Sequence, residues 1–125
     1  WGEPWSAEAE LAWTGPRWTA SANVTARSGW PITGLSVSGN ELVAGLHNAD
    51  AFESFRSLDL RASRSFMLER GSLEFFMELT NALDNANPCC FDYTVVTNGA
   101  EPVSLVIDEN NWLPAVPSFG FLWQF

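Results

Sequence analysis

Five stretches of this chain alternate apolar and polar residues with a period of two, and nothing else in the sequence restricts the fold as strongly. Trp5, Ala7, Ala9, Leu11 and Trp13 stand against Ser6, Glu8, Glu10 and Ala12. Trp18, Ala20, Ala22, Val24 and Ala26 stand against Arg17, Thr19, Ser21, Asn23, Thr25 and Arg27. Leu58, Leu60, Ala62, Phe66 and Leu68 share a face opposite Ser57, Asp59, Arg61, Ser63, Ser65 and Met67, and Leu73, Phe75, Met77 and Leu79 oppose Glu74, Phe76, Glu78 and Thr80. A helix would scatter polar residues over every face, whereas an extended chain sorts them onto two. Only Arg64 interrupts the apolar side, and only Ala12, Met67, Phe76 and Leu122 are apolar on the other. The fifth stretch, S-F-G-F-L-W-Q-F (118–125), is the extreme case. Phe119, Phe121, Trp123 and Phe125 form an all-aromatic face that needs a second sheet, a partner or lipid to cover it.

The connections follow a rhythm of their own. Gly15-Pro16 and Glu69-Arg70-Gly71 read as tight turns, whereas residues 28–52 and 81–117 are long loops punctuated by Gly, Pro and Asn. Short strands are expected inside the second loop near 93–97 and 103–107. The expected fold is all-β: an antiparallel up-and-down meander of about five long strands. Half-buried sheets of soluble proteins share the one-sided pattern. Two further features point instead to part of a transmembrane β-barrel. Short and long connections alternate, as in outer-membrane barrels, and Trp5, Trp13, Trp18, Phe66, Trp123 and Phe125 lie near the ends of the apolar faces, where such barrels carry aromatic girdles. Parity agrees, since tight turns on the periplasmic side would bring the last strand down to that side. Strand lengths of roughly nine to twelve residues suit a tilted membrane strand.

Composition excludes several classes. The formal charge of −9, from 15 acidic and 6 basic residues, is wrong for a nucleic-acid partner, whose phosphates need a basic surface. No run approaches the roughly 20 apolar residues of a membrane helix. The start, W-G-E-P-W, has neither the basic nor the apolar region of a signal peptide, and a chain opening on Trp is expected to be a piece of a longer one. Seven Trp and nine Phe against one Tyr call for an interface.

The runs S-L-D-L-R-A-S-R-S-F-M-L (57–68), G-S-L-E-F-F-M-E-L-T-N-A-L-D (71–84), N-P (87–88) and L-P-A-V-P-S-F-G-F-L-W-Q-F (113–125) resemble the C-terminal end of a TonB-dependent outer-membrane receptor. That family carries, in this order, an "LDLR-S" strand, a strand ending in "NL-N--N" and a last strand of the type "P--P-FG----F". The resemblance covers about residues 50–125, and S-G-W-P (28–31) is similar to the family's "SG-P" strand end. It implies a barrel of about 22 strands with a plugged lumen. Such a barrel imports a scarce ligand, such as a ferric siderophore, cobalamin or a sugar, with energy relayed by TonB. Residues 1–125 are then the C-terminal portion of the barrel, without the plug. Five strands do not close a membrane barrel, so the remainder of the same barrel and its plug are expected partners, along with outer-membrane lipid of a Gram-negative cell.

The resemblance also implies roles. Phe119, Phe121, Trp123 and Phe125 resemble the signal read by the barrel-assembly machinery. Glu8, Glu10, Arg17, Arg27, Asp59, Arg61, Glu74 and Glu78 would face the lumen, as a charged ladder or against the plug. Glu74 and Glu78 have no nucleophile or third group beside them, so no enzyme and no cofactor is expected. Asn81 matches the family's strand-end Asn and would have a cap or turn role at the outer rim rather than touch a ligand. Arg64 would sit near the periplasmic rim and snorkel to headgroups, since mid-bilayer placement costs about 2–4 kcal/mol. Trp30, Phe91, Tyr93 and Trp112 are candidate loop contacts to a ligand. Cys89-Cys90 is expected to be a vicinal disulfide or an inert loop pair, with metal binding as the sharper alternative, and His47 is expected to be a solvated loop residue. The rival from another class is a soluble β-sandwich carbohydrate-binding module with Trp platforms.

Overall fold

The computed structural model describes residues 4–97, 99 and 104–125. Every regular element among them is a strand. In chain order these are β1 (Ser6–Thr14), β2 (Trp18–Arg27), β3 (Pro31–Ile32), β4 (Leu35–Ser38), β5 (Glu41–Ala44), β6 (Asp50–Ala51), β7 (Phe55–Met67), β8 (Ser72–Thr80), β9 (Pro88–Val96), β10 (Ser104–Asn111) and β11 (Val116–Gln124).

The five long alternating stretches form one antiparallel sheet in the order β1-β2-β7-β8-β11. Their bounds shift by one or two residues from the alternation: β7 starts at Phe55 and leaves Leu68 in the turn, and β11 starts at Val116. The register stacks the apolar positions into rows across the sheet. From the short-turn end these rows are Phe66–Leu73–Trp123, Trp18–Arg64–Phe75–Phe121 and Trp13–Ala20–Ala62–Met77–Phe119. Then follow Leu11–Ala22–Leu60–Leu79–Pro117 and Ala9–Val24–Leu58. One residue of slip would exchange the two faces wholesale, so the alternation itself fixes this register.

Both tight turns lie at one end of the sheet. One closes through the Gly15 N–H to the Trp18 carbonyl at 2.8 Å, the other through the Leu68 N–H to the Gly71 carbonyl at 3.1 Å. Gly71 has φ +99°, and a Cβ there would run into the backbone of Gln124, so the turn is fitted against the end of β11.

The long connections lie at the opposite end and are more ordered than the loops expected from their Gly and Pro content. The first contains a nested pair of ribbons, β3 on β6 and β4 on β5, the latter turning at Gly39 with φ +63°. The second is a hairpin of β9 on β10 with an irregularity at Asn110/Asn111. Its strands are longer than the segments expected at 93–97 and 103–107; Val103 lies outside the described residues. β8 pairs directly with β11, so this hairpin stands apart from the main sheet.

The sheet does not close into a barrel: β1 and β11 have no neighbouring strand on their outer sides among the described residues. No hydrophobic side chain of the described residues is buried, and the buried side chains are Ser57, Ser63, Asn81 and Asn87. The accessible surface, 9591 Å², far exceeds the about 6,600 Å² of a compact monomer of this length. Among the described residues no helix is long and apolar enough to cross a membrane.

Candidate functional site

The two sheet faces and the long-loop end each gather a set of side chains. On the apolar face, Phe119 is 79% and Phe121 75% exposed, Leu11 is as free as Phe121, and Trp13 and Met77 are more than half exposed. Alternation in β11 puts Phe119, Phe121 and Trp123 on this face, with Trp123 edge-on to Phe125 at 5.9 Å. Between Trp13 and Phe119 the floor is made by Ala20, Ala22 and Ala62, and the short side chains leave an apolar trough of about 600 Å³. Arg64 lies one row nearer the short turns. Its guanidinium is 5.1 Å from the Trp18 ring and 4.9 Å from that of Phe66, within cation–π range of both.

The polar face is only partly a charged ladder. Arg61 pairs with Glu78 across β7 and β8, and the Ser118 hydroxyl reaches the other Glu78 oxygen at 3.4 Å. Asn23 donates to Glu8 at 2.9 Å. Arg17 and Arg27 do not join the ladder. Arg17 belongs to the first turn, where its carbonyl accepts from the Ser65 N–H at 2.9 Å, and Arg27 stacks on aromatic rings at the loop end. Glu10 and Glu74 make no ion pair among the described residues. Phe76, apolar on a polar face, lies opposite Gly120, and its ring tip occupies the space that a side chain at 120 would need. Arg61 lies 4.6 Å over that ring. The exception in the pattern is therefore a ring covering a bare stretch of strand.

Asp59 lies on the polar face as its parity requires, and there it holds the sheet end together. One carboxylate oxygen accepts from the Ser57 hydroxyl at 2.7 Å and from the Asn81 N–H at 2.9 Å. Asn81 has φ +51°, the left-handed region that Asn tolerates best, and its amide donates to the carbonyls of Asn85 and Leu113. Asp84 accepts from the Ala115 N–H at 2.9 Å. The N-A-L-D-N-A-N run (81–87) thus ties the end of β8 to β7 and to the start of β11. Asn81 was expected as a cap; Asp84, Asn85 and Asn87 were not singled out. Their Asx-turn composition is the signal that marks them.

At the long-loop end the four candidate contact aromatics meet in two pairs. Trp30 and Trp112 meet at right angles with centroids 6.4 Å apart, and Phe91 lies 6.1 Å from Tyr93. Phe52, which the sequence did not flag, stacks on Phe91 at 4.7 Å and so joins the two long connections. Arg27 lies 5.0 Å over Trp30 and 4.3 Å over Phe55. Trp30, Tyr93 and Trp112 remain exposed enough to meet a ligand.

Cys89 and Cys90 are joined as a disulfide between chain neighbours at the start of β9. No cluster of His, Cys, Asp and Glu among the described residues is arranged to hold a metal. His47 is exposed, with its ring 3.5 Å from the Thr33 hydroxyl. In comparisons with protein-family models, curated proteins and solved structures, nothing matched this chain.

Proposed function

We propose that this chain forms part of the wall of an outer-membrane transporter of the TonB-dependent receptor kind, importing a scarce ligand such as a ferric siderophore. The observation that carries the reading is the inversion of burial: the sheet's apolar face is uncovered while its buried side chains are Ser and Asn. In water such a face would be a strong association hazard. Against hydrocarbon it is the expected outer surface of a barrel wall, with the polar side turned to the lumen.

The placement of charge supports the same reading. Register puts Arg56 beside Ala26 and Arg64 beside Trp18, so both arginines belong to the apolar face, at its two ends. Along β7 they are separated by roughly 27 Å of extended chain, which is about 20 Å of depth at the usual tilt. With long stems reaching outward, their charges bracket a band of about 25 Å. Leu58, Leu60 and Ala62 fill the interval.

Strand direction supports a wall completed by other strands rather than by copies of this chain. β1 and β11 both run from the long-loop end to the short-turn end. Copies joined edge to edge would therefore meet as parallel pairs, against the all-antiparallel rule of bacterial outer-membrane barrels. A closing wall must begin and end on strands of the opposite direction, so it holds an odd number of them.

In this proposal Glu8, Glu10, Glu74 and the Arg61–Glu78 pair face the lumen or a plug coupled to TonB. Trp30, Phe91, Tyr93 and Trp112 meet the ligand at the outer side, and Phe119, Phe121, Trp123 and Phe125 are read by the assembly machinery. No step is catalytic. The rival carbohydrate-binding sandwich needs a second sheet over the apolar face, and none lies there among the described residues.

The test is fractionation of the native protein. Recovery with the outer membrane, extraction only by detergent and a heat-dependent shift in gel mobility are the expected results. Recovery from the aqueous fraction as a stable, detergent-free species would overturn the proposal and favour the soluble module.

A further inference from the structure

We propose that Arg64, with the alanine-floored trough beside it, binds one anionic phospholipid on the short-turn side of the sheet. The inference rests on the membrane reading above and adds to it a specific site and a ligand class.

Three observations converge on Arg64. It is the charge on the apolar face at the short-turn end, as Arg56 is at the other, and its guanidinium is held beside two rings, Trp18 and Phe66, which fix its direction. Its Nε is buried without a hydrogen-bond partner. No carboxylate pairs with it: the one ion pair among the described residues is Arg61–Glu78, and Glu74, the nearest acid on β8, belongs to the opposite face by register. Glu69 and Arg70 occupy the adjoining turn and cancel in formal charge. Arg17, Arg27, Arg56 and Arg70 also lack an ion pair among the described residues, and what sets Arg64 apart is its place between two rings on the apolar face, beside the trough. Pro16, Arg17, Ser65, Phe66 and Met67 share with Arg64 a cavity of about 260 Å³ at the sheet end.

The ligand class follows from what lies next to the charge. One row toward the long loops begins the apolar trough of about 600 Å³, floored by Ala20, Ala22 and Ala62 and walled by Trp13 and Phe119. A free phosphate would use only the guanidinium. An anionic phospholipid uses both: its phosphate accepts from Arg64 while an acyl chain lies in the trough, running along the strands away from the charge. Bidentate donation to phosphate oxygens is the geometry in which arginine exceeds lysine.

The protein isolated from its native membrane in mild neutral detergent is the sample, and the readout is lipid retained per protein by native mass spectrometry. The wild type is expected to retain one anionic phospholipid through delipidation. Arg64→Gln should lower that retention by about fivefold, the effect of one basic residue at an anionic surface. Ala62→Phe, which fills the trough and leaves the charge, should lower it as well. Arg64→Lys should restore part of it, and Arg56→Gln, at the other end of the face, should change nothing. Heat-dependent gel mobility reports whether each variant has folded, apart from lipid. Equal retention by folded wild type and Arg64→Gln, or equal retention of zwitterionic lipid, would overturn the inference while leaving the membrane reading intact. Loss on Arg64→Gln with no effect of Ala62→Phe would reduce the site to a phosphate contact and remove the acyl trough. A protein recovered without any membrane would remove both.

Discussion

The side-chain amide of Asn87 stands in for a missing strand against Arg56. It accepts from the Arg56 N–H at 2.8 Å and donates to the Arg56 carbonyl at 3.0 Å, as a paired residue in a β-ladder would. The substitution is needed because β7 outruns β8. β8 pairs with β7 only from Leu60 to Met67, and the edge from Phe55 to Asp59 would otherwise carry open backbone groups. The Ala82 N–H covers the Leu58 carbonyl at 2.7 Å, and Asn87, 2% exposed, covers Arg56. Asn87→Leu should leave the Arg56 N–H unpaired and its carbonyl with only the Asn85 amide, at 3.2 Å, and destabilise the folded protein by about 1–3 kcal/mol, the cost of one buried unsatisfied group. Asn87→Asp, which keeps the acceptor and loses the donor, should fall between. Chemical unfolding midpoints decide it: a Leu variant as stable as wild type would mean that the edge is covered in another way.

Asp59 and Glu78 carry the same formal charge on the same face, yet their removal should differ in effect. Glu78 pairs with a half-exposed Arg61, and an exposed pair contributes about 0–1 kcal/mol. Asp59 accepts from Ser57 and Asn81, which are 7% and 3% exposed. Asp59→Ala strands those two donors and is expected to cost about 1–3 kcal/mol, while Glu78→Gln stays below about 1 kcal/mol. Hydrogen exchange adds a location: Asp59→Ala should loosen the Asn81 N–H, and Glu78→Gln should not.

Gly120 has no side chain because Phe76 already fills its place. A Cβ at 120 would sit 2.6 Å from the ring tip, closer than real Cβ atoms approach. Rotation of one ring can relieve an alanine, so Gly120→Ala should cost about 1 kcal/mol or less. Gly120→Val cannot be relieved in the same way and should cost about 1–3 kcal/mol. The double variant Gly120→Val with Phe76→Ala should recover most of that loss. Additive losses in the unfolding midpoints would show that the two sites are not coupled.

The five-stranded sheet was legible because its signal is dense: each strand repeats the same period, and within the five alternating stretches Arg64 alone breaks the apolar face. The tight turns were legible from Gly15-Pro16 and Glu69-Arg70-Gly71. The ribbons β3–β6 and β4–β5 were not, since strands of two to four residues give alternation too little length to register. The neighbours of Arg27 were hidden for a different reason. Parity assigns it correctly to the polar face, but parity does not say that the partner opposite is Phe55, whose ring draws the guanidinium toward the loop aromatics. The partners of Asp59 were hidden as well, because period two reports only which side a residue takes, not which loop folds back to meet it.

Phe52 joins the two long connections through Phe91, a contact absent from either hairpin alone. An aromatic pair contributes about 0.5–1.5 kcal/mol beyond its area, little against the whole sheet but a large share of what docks β9–β10 to the first connection. Phe52→Ala should therefore leave the global unfolding midpoint nearly unchanged while backbone amides of β9 and β10 exchange faster. If ligand contact rests on Trp30, Phe91, Tyr93 and Trp112 as an assembled set, affinity should fall as well, although Phe52 itself touches no ligand. Unchanged exchange in β9–β10 would mean that the hairpin is held by its own base at Asn87 and Trp112.

A charge walked along the apolar face separates lipid from water as its surroundings. Leu60 lies in the fourth row from the short-turn end and Leu73 in the first, so in a bilayer Leu60 is near mid-depth and Leu73 near the interface. Leu60→Arg should destabilise the folded protein by about 2–4 kcal/mol and Leu73→Arg by about 0–1 kcal/mol. In water no such gradient exists: both side chains would project from an uncovered face, and either arginine would leave stability nearly unchanged while raising solubility. The measurement is reversible unfolding in phospholipid vesicles with each variant beside the wild type. A difference of 2 kcal/mol or more between the two variants, about thirtyfold in the folded-to-unfolded ratio, places hydrocarbon against Leu60. Equal and small effects would place water there, and the sheet would then need a protein partner to cover its aromatic face.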